Sequence, residues 1–162
     1  MSVTGEQLDL PVATIEHTFA AEYSRLVRLA TLLTGSQSVG EEVVMDAFTS
    51  AAARWATIER PAAYLQTAVV NGARSSHRRR GTETAKVHLL TAPGASEDAA
   101  PDEVWGVLAE LTEDQRTCIV LRCYEDLTVD RIAELTGMKA GTVKSHLHRA
   151  AARLRPFFEE RR

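Results

Sequence analysis

The chain has 162 residues, a formal net charge of −3 at pH 7 and an apolar share of 44%. That length holds one or two small domains, and the apolar share suffices for folded cores. The net acidity argues against an indiscriminate nucleic-acid binder. No apolar run approaches the ~18 residues of a membrane span and no signal-peptide pattern opens the chain, so a cytoplasmic protein without membrane insertion is expected.

The charge is unevenly distributed. From Glu97 to Glu134 eleven acids face only Arg116, Arg122 and Arg131, whereas Lys139 to Arg155 holds five Lys/Arg and no acid. A second basic knot is His77-Arg78-Arg79-Arg80. Two local basic surfaces on an acidic body point to specific contact with DNA. Cys118 and Cys123, five apart on a predicted helix, point in different directions and are expected to be buried free thiols.

Residues 1–13 carry Gly5 and Pro11 with little periodicity and read as a loose arm. A first domain is expected over 14–80. Its first helix runs from about Ala13 to Leu33 on an apolar stripe of Ile15, Phe19, Tyr23, Leu26, Val27, Ala30 and Leu33, with Gly35 as the stop. Ser38 and Glu41 fit a capping box opening a second helix to about Trp55. Val44, Ala47, Phe48, Ala51 and Trp55 share its inner face; Glu42, Asp46, Thr49 and Ala53 lie opposite, with Met45 on the shoulder. Pro61 suits the first turn of a third helix, ending near His77 or Arg78. Leu65, Ala68, Val69, Gly72 and Ser76 form its inner face.

The outer face of that third helix carries Tyr64, Thr67, Asn71, Arg74 and Arg78 in one stripe. An aromatic ring, an amide, a hydroxyl and two guanidiniums can stack on an unpaired base, bond its edge and hold its phosphates. A solvated helix face with a satisfied tyrosine fits the same composition equally well.

Residues 81–101 include TAPGASEDAAP and read as a linker. A second domain is expected over 102–158. Its first helix, Asp102 to Leu111, buries Val104, Val107, Leu108 and Leu111. Thr112 and Gln115 form a capping box for a helix to about Glu125, with Ile119, Val120 and Leu121 inward. Then comes LTVDRIAELTGMKAGTVKSHLHRAAARLR, two helices joined by a tight turn. Thr128 is the N-cap of the first, Gly137 supplies the φ > 0 turn and Met138 plugs it. The second helix starts near Ala140 and buries Val143, Leu147, Ala150 and Leu154. At ~100° per residue, Thr142, Ser145, His148, Arg149 and Ala152 face away from that stripe. Lys144, His146, Arg153 and Arg155 flank them. Such a helix can enter a major groove, with hydroxyls on phosphates and Arg or Lys on base edges.

The two halves together resemble the bacterial sigma factors of the extracytoplasmic-function group. LTEDQRTCIVLRCYEDLTVDRIAELTGMKAGTVKSHLHRAAARLR is similar to the family's sigma-4 domain throughout, and GTVKS-x-LHRA-x-x-R-L carries its most specific motif. FAAEYSRLVRLATLLTG, EEVVMDAFTSAAARW and RPAAYLQTAVVNGARSSHRRR resemble sigma-2 in order and spacing. The resemblance implies an all-α fold of two small helical domains and a linker, and a protein that directs core RNA polymerase to promoters. It implies that Thr142, Lys144, Ser145, His148, Arg149 and Arg153 face the minus-thirty-five element. It assigns Tyr64, Asn71, Arg74 and Arg78 to the melted minus-ten element, with the loop 57–60 helping to hold a flipped base. It puts Glu42, Met45, Asp46 and Thr49 on the polymerase clamp helices, and implies the polymerase flap as a further contact. Met45 stands where the family usually has a glutamine, replacing a polar contact by an apolar one. His146 stands where many relatives have Arg, so its contact is charged only when protonated. An anti-sigma factor is the further partner implied.

No cofactor, metal or enzymatic activity is expected. The five histidines are scattered, and His146 and His148 lie roughly 200° apart on their helix, so they cannot share a metal. No Ser-His-Asp order or Gly-rich phosphate loop appears. The alternative is a dimeric helix-turn-helix regulator, which accounts for 127–155 and leaves the first 80 residues without a role.

Overall fold

Four helices begin where a side-chain oxygen satisfies a free backbone N–H. Thr14 accepts from His17 N at 3.2 Å, Ser36 from Val39 N at 3.4 Å, Thr112 from Gln115 N at 3.3 Å and Thr128 from Arg131 N at 3.2 Å. Each of these caps has extended backbone, as an N-cap requires. Two helices end on glycines in the left-handed region, Gly35 at φ 78° and Gly137 at φ 72°. The computed structural model describes residues 14–83 and 102–159. Their regular elements are all helical: α1 (Ile15–Thr34), α2 (Gln37–Ala52), a 3-10 turn (Trp55–Thr57), α3 (Pro61–Glu83), α4 (Asp102–Ala109), α5 (Glu113–Cys123), α6 (Val129–Thr136) and α7 (Ala140–Glu159). The expected arm and most of the expected linker lie outside the described residues.

Several local expectations need correction. The cap of α2 is Ser36, not Ser38, because Ser38 already lies within the first turn. Glu41 accepts from Gln37 Nε2 at 2.9 Å instead of closing a capping box. Trp55 sits in the 3-10 turn after α2 ends. α3 continues past Arg78 to Glu83. Val104 is exposed, not buried, and so is Cys123, whereas Cys118 is buried as expected.

α1, α2 and α3 pack on one another around Leu26, Leu29, Val44, Phe48, Leu65 and Val69. Phe19 stacks on Tyr23 and meets Phe48 edge-on, closing one end of this core. Gly72 lets α3 approach α2 closely: a Cβ there would lie 2.9 Å from Val43 Cγ1. α5, α6 and α7 form the second core through Leu121, Ile132, Val143 and Ala150, all fully buried. Burying a side chain such as Ile132 is worth roughly 1.5–3 kcal/mol.

The two cores are pressed together, α1 on α5 and α3 on α6. Leu29, Leu32, Val70 and Ala73, which the single-stripe readings of α1 and α3 left out, are buried as well. Polar groups decorate the seam. Arg116 is 9% exposed. Its Nε donates to Leu108 O at 3.1 Å, Nη2 to Leu111 O at 3.2 Å and Nη1 to Leu33 O at 3.4 Å, across the seam. Its guanidinium lies 5.0 Å from the Trp105 ring centroid. His77 Nε2 lies 2.8 Å from the same Leu33 carbonyl. Trp105 covers Gly35 so closely that a Cβ there would fall 1.9 Å from its ring.

Candidate nucleic-acid interface

The helix-turn-helix is built as its sequence dictates. Ile132 and Leu135 anchor α6, Gly137 turns the chain, and Met138 fills the turn with its Sδ 4.0 Å from Cys118 Sγ. α7 then buries Val143, Ala150 and Leu154 on one side. The opposite side carries Thr142, Lys144, Ser145, His148, Arg149 and Arg153, all exposed. Among the described residues no ion pair engages Lys144, Arg149 or Arg153. Three uncompensated cations and two hydroxyls on one helix face suit the edge and backbone of duplex DNA.

His146 is not part of that face. It turns toward α5, with Nε2 4.0 Å from Asp114 Oδ2 and a side chain only 17% exposed. Its Nδ1 is buried without a hydrogen-bond partner among the described residues. The flanking position expected from periodicity is overridden because α5 crosses that side of α7.

The α3 stripe is divided. Asn71 and Arg78 are exposed. Tyr64 is half-buried, with the Arg54 guanidinium 5.7 Å from its ring centroid. Thr67 is half-buried and its hydroxyl donates back to Ala63 O at 3.0 Å. Arg74 is drawn into the seam. Its Nη1 donates to Thr136 O at 2.6 Å and its Nη2 to Asp114 Oδ1 at 3.2 Å. The stripe seen in sequence therefore exists on the helix, but one of its two guanidiniums is held by the other half.

Glu42, Met45, Asp46 and Thr49 are exposed together on α2, and Met45 is 45% exposed. Sequence reasoning missed a third surface. An open apolar groove of about 1340 Å³ runs between α4, α5 and α7, lined by Val104, Ile119, Tyr124, Leu154, Phe157 and Phe158. Phe158 is 67% exposed there. Its signal was the Phe157-Phe158 pair beyond Pro156, which α7 carries onward as helix.

One seam residue and its neighbour also went unread. Glu125 lies between the halves, where its carboxylate accepts from Arg25 Nη1 and Gln66 Nε2. Asp126, just after it, takes the left-handed conformation at φ 52°. For Arg25, burial opposes the charge, but the Glu22 and Glu125 carboxylates outweigh it and hold the pKa above its ordinary value. For Arg116 burial prevails over the Glu113 carboxylate and lowers the pKa. Among the described residues no group of three or more His, Cys, Asp or Glu could hold a metal ion, and no helix is long and apolar enough to cross a membrane.

The profile of the family described as Sigma-70, region 4, matches residues 102–154. The RNA polymerase sigma-E factor of Streptomyces coelicolor is 34% identical over 139 residues, covering 80% of this chain and 77% of that protein. The ECF RNA polymerase sigma factor ShbA of Streptomyces griseus is 39% identical over 61 residues, 36% of this chain and 32% of that one. In fold, the chain is similar to the sigma factor RpoE solved in complex with the anti-sigma factor NepR from Bartonella quintana. The TM-score is 0.71 at 24% identity, over 91% of this chain and 98% of that chain.

Proposed function

The chain belongs to the RNA polymerase sigma factors of the extracytoplasmic-function type, and from that premise we propose how its surfaces divide the work of initiation. It is a regulatory initiation factor that binds core RNA polymerase and directs it to promoters. Its place of action is with that polymerase, in the cytoplasm. The dimeric-regulator reading gives way, because it leaves α1 to α3 unexplained.

The minus-thirty-five element is read by α7 through Thr142, Lys144, Ser145, His148, Arg149 and Arg153. One observation carries this assignment: a continuous exposed face on which Lys144, Arg149 and Arg153 have no acidic partner among the described residues, on the helix that follows a glycine-closed turn. The melted minus-ten element is read by Tyr64, Asn71, Arg74 and Arg78 on α3, with Arg54 beside the Tyr64 ring as added support. Pulling a base from the stack costs a few kcal/mol, which stacking on such a ring offsets. The polymerase clamp helices meet Glu42, Met45, Asp46 and Thr49, where the thioether supplies an apolar contact amid polar ones. The groove between α4, α5 and α7 is the seat for the polymerase flap, since a cluster of exposed aromatic and aliphatic side chains marks a protein-binding surface. An anti-sigma factor is the regulator this layout admits. The fold relative crystallised with one is consistent with that.

The test is transcription in vitro with purified core polymerase on a randomised promoter library. The expected result is initiation that requires this protein and shows paired upstream and minus-ten preferences. Initiation in which Arg149→Ala and Arg74→Ala alter neither preference would refute the division of labour.

A further inference from the structure

Nothing in the packing of α2 asks for an apolar side chain at position 45. Val43, Val44, Ala47 and Phe48 are buried in the N-terminal core, whereas Met45 turns outward and is 45% exposed beside Glu42, Asp46 and Thr49. An exposed thioether is open to two-electron oxidants, and its sulfoxide is polar and chiral. Met138 stands differently. It is half-buried in the helix-turn-helix, with Sδ 4.0 Å from Cys118 Sγ. These are the two methionines among the described residues, so a dissolved peroxide meets Met45 first.

The surroundings of Met45 decide what oxidation does. A sulfoxide oxygen accepts hydrogen bonds, and the neighbours at i−3, i+1 and i+4 offer it no free donor. Glu42 and Asp46 are carboxylates that only accept, and the Thr49 hydroxyl already donates to Met45 O at 2.8 Å. α2 contains no Lys or Arg. The new oxygen therefore keeps its water. A partner that covers this face must strip that water without replacing it, and burying an unpaired polar group is costly.

We propose that Met45 is a reversible oxidation site that sets the affinity of the chain for core RNA polymerase: the thioether docks and the sulfoxide docks poorly. The inference rests on the reading that seats Met45 against the clamp helices. In the step, a sulfur lone pair attacks the terminal oxygen of a hydroperoxide. The S–O bond forms as the O–O bond breaks, and the proton of the transferred oxygen passes to the leaving oxygen, which departs as water or an alcohol. Sulfur loses two electrons and the peroxide gains them. Methionine sulfoxide reductases, one for each epimer, return the thioether. A docked chain covers Met45, so the oxidant acts on the free pool.

The test treats the free full-length chain with hydrogen peroxide. Desalting removes the oxidant, and dithiothreitol returns any sulfenic acid or disulfide at Cys123 to the thiol while leaving sulfoxides in place. Peptide mass spectrometry gives the oxidation rate at each methionine, and far-UV circular dichroism checks that the helices persist. Affinity for untreated core polymerase is then read by anisotropy. The expected result is faster oxidation of Met45 than of Met138 and about tenfold weaker polymerase binding. The reductase pair should restore the affinity. Met45→Leu should bind equally well before and after peroxide, whatever its own starting affinity. Oxidation of Met138 at the same rate as Met45 overturns the site. Oxidised Met45 with unchanged polymerase affinity overturns its control of docking, and so does a loss that persists in Met45→Leu. Peroxide applied to the preformed complex separates that failure from the reading beneath it. Met45 shielded in the complex leaves the clamp contact standing and removes the oxidation proposal alone, whereas Met45 oxidised there as fast as in the free chain removes the clamp contact itself.

Discussion

Replacing Arg116 with alanine is expected to destabilise the C-terminal half by about 2–3 kcal/mol. Three carbonyls accept from this side chain at 3.1, 3.2 and 3.4 Å. Hydrogen bonds from a charged donor contribute about 1.5–3 kcal/mol each when short. These are long, so about 1 kcal/mol each is the appropriate figure, with about 1 more for the stacked Trp105 ring. Burial works against the charge, as the lowered pKa records, and removes part of that sum. Leu33 O keeps its contact with His77 and Leu108 O still accepts from Leu111 N, so only Leu111 O loses a partner outright. Urea denaturation, followed by tryptophan fluorescence, is the assay. Trp55 lies in the N-terminal half and Trp105 at the seam, so single-tryptophan variants report the two places separately. With m near 1–3 kcal/mol/M the midpoint falls by about 0.7–3 M. Arg116→Met keeps the apolar stem without the buried charge, and should lose only about half as much. A loss below about 0.5 kcal/mol in the alanine variant would refute the assignment of Arg116 as an anchor of α4 and of the seam.

The two left-handed glycines should respond differently. At Gly137 a Cβ meets nothing within 4 Å, so Gly137→Ala costs only the backbone penalty of about 1–2 kcal/mol. Gly35→Ala also drives a methyl into the Trp105 ring, so its thermal midpoint should fall well below that of Gly137→Ala; equal shifts would contradict the packing. Cys118 is pushed up to about 11 from 9.0 by burial and then by the Asp114 carboxylate, with Arg74 opposing. Maleimide at neutral pH should therefore label the exposed Cys123 alone in the folded chain, and mass spectrometry showing double labelling would disprove this. The folded chain holds the Cys118 proton more tightly than the unfolded chain does. Its contribution is complete below pH 9 and fades as pH rises toward 11, by about 1–3 kcal/mol, and Cys118→Val should flatten that fall. Arg149→Ala should cost about 1–3 kcal/mol of promoter affinity and relax one position if it reads a base; a uniform loss across sequences moves it to phosphate.

The all-helical fold was legible because its signals are local. Thr112, Thr128 and Pro61 mark helix starts by their own chemistry, and Gly35 and Gly137 mark ends. The exposed basic face of α7 was legible for a related reason: Val143, Ala150 and Leu154 fix which side of α7 is buried, so the opposite side follows from the helical period. The seam was not legible. Arg74 read as one more outward stripe residue, and Arg116 and Glu125 entered only the charge count of an acidic stretch. Their partners lie far away in sequence, as with Arg74 and Asp114 or Arg25 and Glu125. Periodicity tells which faces of a helix are apolar, but it is silent on which distant backbone carbonyl a guanidinium will find. Val104 failed for the complementary reason, because an apolar residue at the right spacing can line an open groove as readily as a core.

The grip on Glu125 bears on how such factors can be recombined. Its carboxylate comes from one half, and the Arg25 and Gln66 groups that receive it come from the other. A hybrid factor that joins this N-terminal half to a different helix-turn-helix half brings no matching acid unless that relative happens to supply one. Promoter specificities grafted in this way would arrive together with an altered resting conformation. The two halves are fitted to each other, and exchanging one also leaves Arg25 and Gln66 without the acid they hold.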